Sequence, residues 1–370
     1  MNVIAPPATV PLEADLQRHI GRHAQKAFDW DAFPSNRGFP ELSRAQMRYI
    51  GAGGSPKVGD TSTMKADNFT LSLIHKEPGK YAACHAHEIE ESFLIIDGVL
   101  TVGWEQDGQV VEVKLGPKDM ILNARDVPHG FRNEGVKPVL MSISVDVGKP
   151  QPPRYVYHPK DTDAALARAF GAKPGQTEML STEGAHPLQQ LMAHHVIRFT
   201  QQPVIAEKAG FFRKVYVGEG GVQSTTARKE MLGIPRGVGV KPYVRDVEDA
   251  YLVLEGCVTV GWVGDDGKVV EAKLGPLDVV KTLPGGRTTS ATTTSATPPS
   301  SWWWAIPARR PSPTKPPEPR GTVSAGRRPC ASSRFPFVAP RVAFPWRGRE
   351  RPGGPGTRAA NDGCPLPARA

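Results

Sequence analysis

One stretch of this chain occurs twice. FLIIDGVLTVGWEQDGQVVEVKLGPKD at 93–119 returns as YLVLEGCVTVGWVGDDGKVVEAKLGPLD at 251–278, with TVGW, VVE and KLGP repeated letter for letter. Such a repeat means that one supersecondary unit is built two times. The unit is made of strands, because short apolar-rich runs end again and again in turn signals. The clearest runs are FTLSLIH (69–75), SFLIID (92–97), VLTVGWE (99–105), QVVEVKL (109–115), DMILNA (119–124) and VLMSISVDV (139–147). The breaks EPGK, DG, QDGQ, GPKD and NEGVKP carry the Gly, Pro, Asn and Asp that tight turns need. An all-β chain is expected, with two barrels in tandem and a few short flanking helices. Helical patterning is confined to 14–33, where Leu16, Ile20, Ala24 and Ala27 share roughly one face, and to DTDAALARAFGA at 161–172.

The chemistry sits beside the first copy of the repeat. Gly79 to Gly98 read GKYAACHAHEIEESFLIIDG, which places His85 and His87 two residues apart and Glu91 four further on. Residues i and i+2 of a strand share a face, so both imidazoles can point at one interior spot. Glu91 can reach that spot from the next strand, after a short turn. His129, in PHGFRN, must arrive from a distant strand, which a barrel permits. Three imidazoles and a carboxylate suit iron, manganese, nickel, copper or zinc. Aligned on Gly98 and Gly256, the second copy has Tyr243, Arg245 and Asp249 at the places of His85, His87 and Glu91. Tyr and Arg cannot replace two imidazoles at a first-row metal. One metal per chain is therefore expected, with the second barrel packing against the first and shaping its pocket.

At these residues the chain resembles the cupin superfamily. The first cupin motif, G-x5-H-x-H-x3-E-x6-G, is complete; the second is met at Gly116, His129 and Asn133, with Ala124 and Asp126 in place of its internal Pro and Gly. The resemblance implies two double-stranded β-helix (jelly-roll) barrels, a bicupin. Metal in the first barrel and a degenerate second barrel are similar to the gentisate, salicylate and hydroxynaphthoate ring-cleaving dioxygenases, over roughly residues 40–285. That likeness implies Fe2+ as cofactor, with Mn2+ and Zn2+ as alternatives. It also implies a 2-hydroxybenzoate substrate chelating at two open metal positions, O2 at a third, and catalytic residues His85, His87 and His129. Those enzymes lack the motif glutamate, whereas this chain keeps Glu91, as oxalate decarboxylases, flavonol dioxygenases and many binding cupins do. The expected alternatives are a manganese bicupin acting on a small acid such as oxalate, a zinc sugar-phosphate isomerase, and a metal-containing binding or regulatory cupin without turnover. An aromatic acid needs a cationic partner. Arg125 and Arg132, flanking His129, and Arg48 are the candidates, with Trp104 as a candidate wall of the pocket.

Composition bounds the rest. At 370 residues the chain can hold two domains with real cores. No run of apolar residues is long enough for a membrane helix. The start, MNVIAPPATVPLEADLQ, has neither a basic n-region nor an apolar h-region, and Cys84, Cys257, Cys330 and Cys364 have no framework spacing. A reducing cytoplasm and a homo-oligomer are expected, with no membrane or nucleic-acid partner. The net charge of +9 does not argue otherwise. Residues 285–370 hold fourteen Lys and Arg against three Asp and Glu, which leaves the rest slightly acidic. In that tail the repeat breaks off into RTTSATTTSATPPSSWWWAIPARRP, with thirteen Arg to one Lys and sixteen Pro. It resembles a GC-rich gene translated out of frame. Three Trp codons before an Ala codon, displaced by two bases, must read Val-Val-Gly. The expected layout is thus a helical extension (1–40), a metal-binding barrel (41–160), a linker with a short helix (161–200), a truncated metal-free barrel (201–285) and a disordered basic tail (286–370), read as a frameshift product.

Overall fold

A computed structural model describes residues 10–161, 187–285, 287–292 and 300–305, the last two stretches through their strand pairing only. The N-terminal segment holds α1 (Leu12–Arg18) and β1 (Ile20–Gly21). The first barrel contains β2 (Ala45–Ile50), β3 (Thr70–Lys76), β4 (Tyr81–Ala86), β5 (Glu91–Asp97), β6 (Leu100–Gln106), β7 (Gln109–Leu115), β8 (Met120–Asn123), β9 (His129–Arg132), β10 (Val139–Val145) and β11 (Arg154–Tyr157). After α2 (Pro187–His195) and β12 (Val196–Ile197) come β13 (Ile205–Ala206), β14 (Phe212–Val217), β15 (Lys229–Pro235), β16 (Val240–Val244) and β17 (Asp249–Val253). The second barrel then continues through β18 (Val258–Val263), β19 (Val269–Leu274), β20 (Val279–Thr282), β21 (Arg287–Thr292) and β22 (Ser300–Ala305).

Each barrel is two antiparallel sheets face to face. The first pairs a sheet in the order β12-β8-β5-β10-β3-β2 with one in the order β11-β4-β9-β6-β7. The second pairs β1-β20-β17-β22-β15-β14-β13 with β16-β21-β18-β19. The fold is the all-β jelly roll expected of cupins. Inside the first barrel, Phe93, Val102, Trp104, Val113, Phe131 and Ile143 fill the space between the sheets. The outer faces of the two larger sheets pack on each other: Leu71, Leu73, Leu94 and Leu122 meet Met231, Ala250, Leu252 and Val279 in one cluster. β3 and β5 are thus covered on both faces, which is why their sequences are nearly continuous apolar runs rather than strict alternations. Gly98 closes the β5–β6 turn at φ +81°, and a Cβ there would lie 2.7 Å from the Pro138 carbonyl oxygen, so the motif's last glycine is a steric requirement.

The lead-in segments are exchanged. β1 adds to β20 of the second barrel, and Leu16 of α1 is buried in that barrel's core. Reciprocally, β12 adds to β8 of the first barrel, and Leu188 and Met192 of α2 enter its core. Residues 12–21 are therefore a part of the second barrel and not a separate extension, while Phe33, further along the same segment, packs on the core of the first. The helix expected over 14–33 stops at Arg18. Beyond it Ile20–Gly21 is taken up by a strand ladder, and Gly21 lies so close to Tyr49 that a Cβ would sit 2.5 Å from the ring. The helix expected at 161–172 falls, but for its first residue, outside the described residues. The linker's described helix lies later, at Pro187–His195, and residues 196–197 already belong to the first barrel's sheet. Strand pairing also passes the boundary placed at 285: β21 pairs with β16 and β18, and β22 sits between β15 and β17, the place of β10 in the first barrel. Thr-rich RTTSAT and aromatic SSWWWA have the β-propensity to fill those places. Among the described residues, no helix is long and apolar enough to cross a membrane.

Candidate metal centre

β4, β5 and β9 bring the motif residues together. His85 stands directly opposite His129 in the β4–β9 ladder, Glu91 opens β5, and His87 lies one residue past the end of β4. The ligand atoms of His85, His87, Glu91 and His129 lie within 4.8 Å of one another, and all four residues are buried. The rings stand 4.7 Å (His85–His129), 5.1 Å (His85–His87) and 5.9 Å (His87–His129) apart, mutually tilted.

Backbone carbonyls set the tautomers. His85 Nδ1 donates to the Ala83 oxygen at 2.7 Å, and His129 Nδ1 donates to the Val127 oxygen at 2.9 Å. A carbonyl only accepts, so both Nδ1 atoms carry hydrogen and both Nε2 lone pairs are free for a ligand. His129 Nε2 then faces Glu91 Oε2 at 3.1 Å, with His87 Nε2 at 3.7 Å from the same oxygen. Lone pairs facing a carboxylate at these distances call for a cation among them. Buried His87 Nδ1 also has no hydrogen-bond partner. The protonation tendencies agree. Burial, then the charges of His129 and His87, pushes the His85 imidazole well below its ordinary range, and burial lowers His87. Burial alone would raise the Glu91 carboxyl, but the surrounding His87, His129 and His85 hold it at about 2. His85 and His87 held toward their neutral forms beside an ionised Glu91 are in the metal-binding forms. The residues fit a divalent first-row metal.

The surrounding cavity is small, about 30 Å³, and is lined by Phe33, Arg44, Phe131, Ile143 and Pro153 together with ligands of the centre. Its cation is Arg44, a residue the sequence reading did not single out. Arg44 is 8 % exposed, and its guanidinium lies 4.1 Å from the Phe33 ring centre and 5.5 Å from that of Phe131. Among the described residues no carboxylate forms an ion pair with it, and its Nε has no partner. Burial lowers its pKa, against the pull of Tyr155 and Glu91. Lys76 lies 5.2 Å from the Phe131 ring centre, fully buried with Nζ unpartnered. Burial, Arg44 and Lys80 push its amine well below the usual range, and it does not line the cavity, whose cationic side chain is Arg44.

The other arginine candidates are elsewhere. Arg48 is held by Asp29 at 3.0 Å and Asp60 at 2.9 Å, in a separate 440 Å³ cleft beneath the N-terminal segment. Arg132 is committed to Glu112 and, at 2.9 Å, to Glu134; one step along a strand from Phe131, it points to the other face. Arg125 is exposed. Trp104 is fully buried in the barrel core and donates to Asn123 Oδ1 at 2.9 Å; Asn123 is the ladder partner of Glu91. It backs the site rather than lining the cavity. No sequence signal separated Arg44 from Arg48, because both lie in SRAQMRY and only the partners differ. In the second barrel, Tyr243, Arg245 and Asp249 are joined through Tyr251 instead: Arg245 Nε lies 3.1 Å from Asp249 Oδ2, to which Tyr251 also donates, while Tyr243 and Tyr251 share a hydrogen bond at 2.9 Å. A 720 Å³ hollow beside Arg245 has no ligand cluster among the described residues.

Residues 72–147 match the sequence model of the family described as Cupin domain. No curated protein matches the chain. Among solved structures, a single-residue variant of oxalate decarboxylase from Bacillus subtilis is similar with TM-score 0.56 and 12% identity, over 78% of this chain and 76% of that one. The oxalate decarboxylase formate complex from Lactobacillus farciminis is similar with TM-score 0.56 and 10% identity, over 78% of this chain and 85% of that one. At such identities the likeness is one of fold. The aromatic ring-cleaving specificity implied by the sequence resemblance finds no counterpart in these matches. The chain carries a cupin domain within a fold of two jelly-roll barrels, and its His-His-Glu-His cluster lies in that domain.

Proposed function

We propose that the protein is a metal-dependent enzyme acting on a small carboxylic acid of about the size of oxalate. The observation that carries this reading is the cavity: about 30 Å³, lined by His85, His87 and Glu91 of the ligand cluster and by a buried arginine that no carboxylate pairs with among the described residues. A benzene ring occupies a cavity of about 150 Å³, whereas one water needs roughly 10–15 Å³ of the same measure. Both acids need these walls to widen, and the two-carbon acid needs less widening than a hydroxybenzoate. The retained Glu91 agrees, and so does the fold likeness to structures described as oxalate decarboxylases. Arg44 binds a substrate carboxylate. Phe33, Phe131 and Ile143 exclude water and strengthen that charge pair. Glu91, ionised at neutral pH, and the imidazoles hold the metal, which supplies a Lewis-acid and redox centre when bound. In a decarboxylation the carbon–carbon bond breaks, one carboxyl leaves as CO2, and the remaining carbon takes up a proton to give the shorter acid.

The test is reconstitution with Mn2+, Fe2+ or Zn2+ singly, followed by assays of CO2 release and oxygen uptake on oxalate, malonate, salicylate and gentisate. Small-acid turnover with Mn2+ is expected. Oxygen uptake with the hydroxybenzoates alone would restore ring cleavage, and silence with every acid would leave a binding cupin.

A further inference from the structure

The second barrel has lost its own ligands, yet it grips the chain on both sides of Glu91. On one side, Glu90 Oε2 accepts from Ser224 Oγ and, at 2.7 Å, from Thr226 Oγ1, both on the segment leading into β15. On the other side, Lys229 Nζ of β15 donates to Ser92 Oγ at 2.8 Å, Ser144 Oγ at 3.1 Å and Asp146 Oδ1 at 2.7 Å. Asp146 closes the loop, since its backbone N–H donates to the Glu90 carbonyl at 3.2 Å. Ser92, Ser144, Asp146 and Lys229 are all buried. Within the first barrel, Glu91 is held by its ladder partners Val145 and Asn123 and by His129. Its immediate neighbours are fastened from the other barrel.

We infer that Ser224, Thr226 and Lys229 are positioning residues for the metal centre: the metal-free barrel fixes the backbone from which Glu91 reaches the metal. The inference rests on the metal-centre reading above. Glu91 is the ligand most open to such control. His85 and His129 are each oriented by a carbonyl two residues away in their own barrel, whereas the Glu90 carboxylate, next to Glu91, is held by hydroxyls of the second barrel. Groups that orient a metal ligand from outside the coordination sphere typically change affinity 10–100-fold when removed.

The experiment uses the full chain and chelator competition for Mn2+ and Co2+, with the absorption spectrum of the Co2+ form as a readout of coordination. The variants are the double substitution Ser224→Ala with Thr226→Val, the single substitution Thr226→Ser as the conservative control that keeps a hydroxyl, Glu91→Gln, and Tyr216→Phe. Tyr216→Phe removes another cross-barrel hydrogen bond, from Tyr216 to the Lys118 carbonyl at 2.7 Å, away from Glu91. The expected result is a roughly 10-fold or greater loss of affinity in the double variant, a Co2+ spectrum shifted toward that of Glu91→Gln, and wild-type behaviour in Thr226→Ser and Tyr216→Phe. Wild-type affinity and spectrum in the folded double variant would overturn the inference, as would an equal loss in Tyr216→Phe. A wild-type chain that binds neither metal would overturn the metal-centre reading itself.

Discussion

Replacing Arg44 by Met is expected to make the metal-free protein more stable while removing its affinity for carboxylates. Arg44 is 8 % exposed and no carboxylate pairs with it among the described residues. Burying an ion costs several kcal/mol even after relaxation. The return is the stacking on Phe33 at 4.1 Å, about 2 kcal/mol for a desolvated pair, with less from Phe131 at 5.5 Å. Met keeps most of the aliphatic length and the contacts with both rings while dropping the charge. Hydrophobic replacement of buried charges often gains 1–4 kcal/mol, and the offset from the rings puts this case at about 2 kcal/mol. For a domain of some 150–250 residues that is roughly 4–8 °C in Tm. The assay is thermal and urea unfolding of the metal-free protein, with carboxylate binding measured on the metal-loaded form. A Tm that falls would refute the reasoning, because it would mean that Arg44 is paired in the resting protein and is not held in reserve for a substrate.

His87→Ala is expected to abolish stoichiometric metal binding, and elemental analysis of the wild type should give one metal per chain; two would contradict the reading of Tyr243 and Arg245. Stability of the metal-free protein should fall as pH drops below about 6.5, the ordinary imidazole value. The unfolded chain takes up protons there that depressed His85 and His87 refuse. Glu91 should contribute fully above about pH 4.5 and lose its contribution toward pH 2; a flat urea midpoint between pH 7 and 5 would contradict the imidazole part. Leu16→Ala should cost about 2–5 kcal/mol and loosen the second barrel rather than the first, as hydrogen exchange resolved by segment would show. Sequencing the gene across codons 286–307 should reveal a two-base frame displacement; an undisturbed frame would count against it.

Much of the molecule could be read from the amino acids alone. The repeat announced two barrels because each copy carries the same strands and turns, and those strands formed within a residue or two of their expected places. The metal cluster was legible for a similar reason: His85, His87 and Glu91 lie within seven residues, at the end of one strand and the start of the next. What sequence could not decide is what depends on partners far along the chain. Arg44 and Arg48 are four residues apart and chemically identical, yet Asp29 and Asp60 neutralise one while the other, beside the ligands, meets no carboxylate partner among the described residues. Trp104 reads as a pocket wall and is a core donor to Asn123. The first residues of the N-terminal segment read as an extension, and their strand Ile20–Gly21 adds to the second barrel. The grip of Ser224 and Lys229 on the neighbours of Glu91 joins residues more than a hundred positions apart. Periodicity and spacing report contacts made within a few residues, whereas charge pairing, burial and exchange between barrels are settled only when distant segments pack.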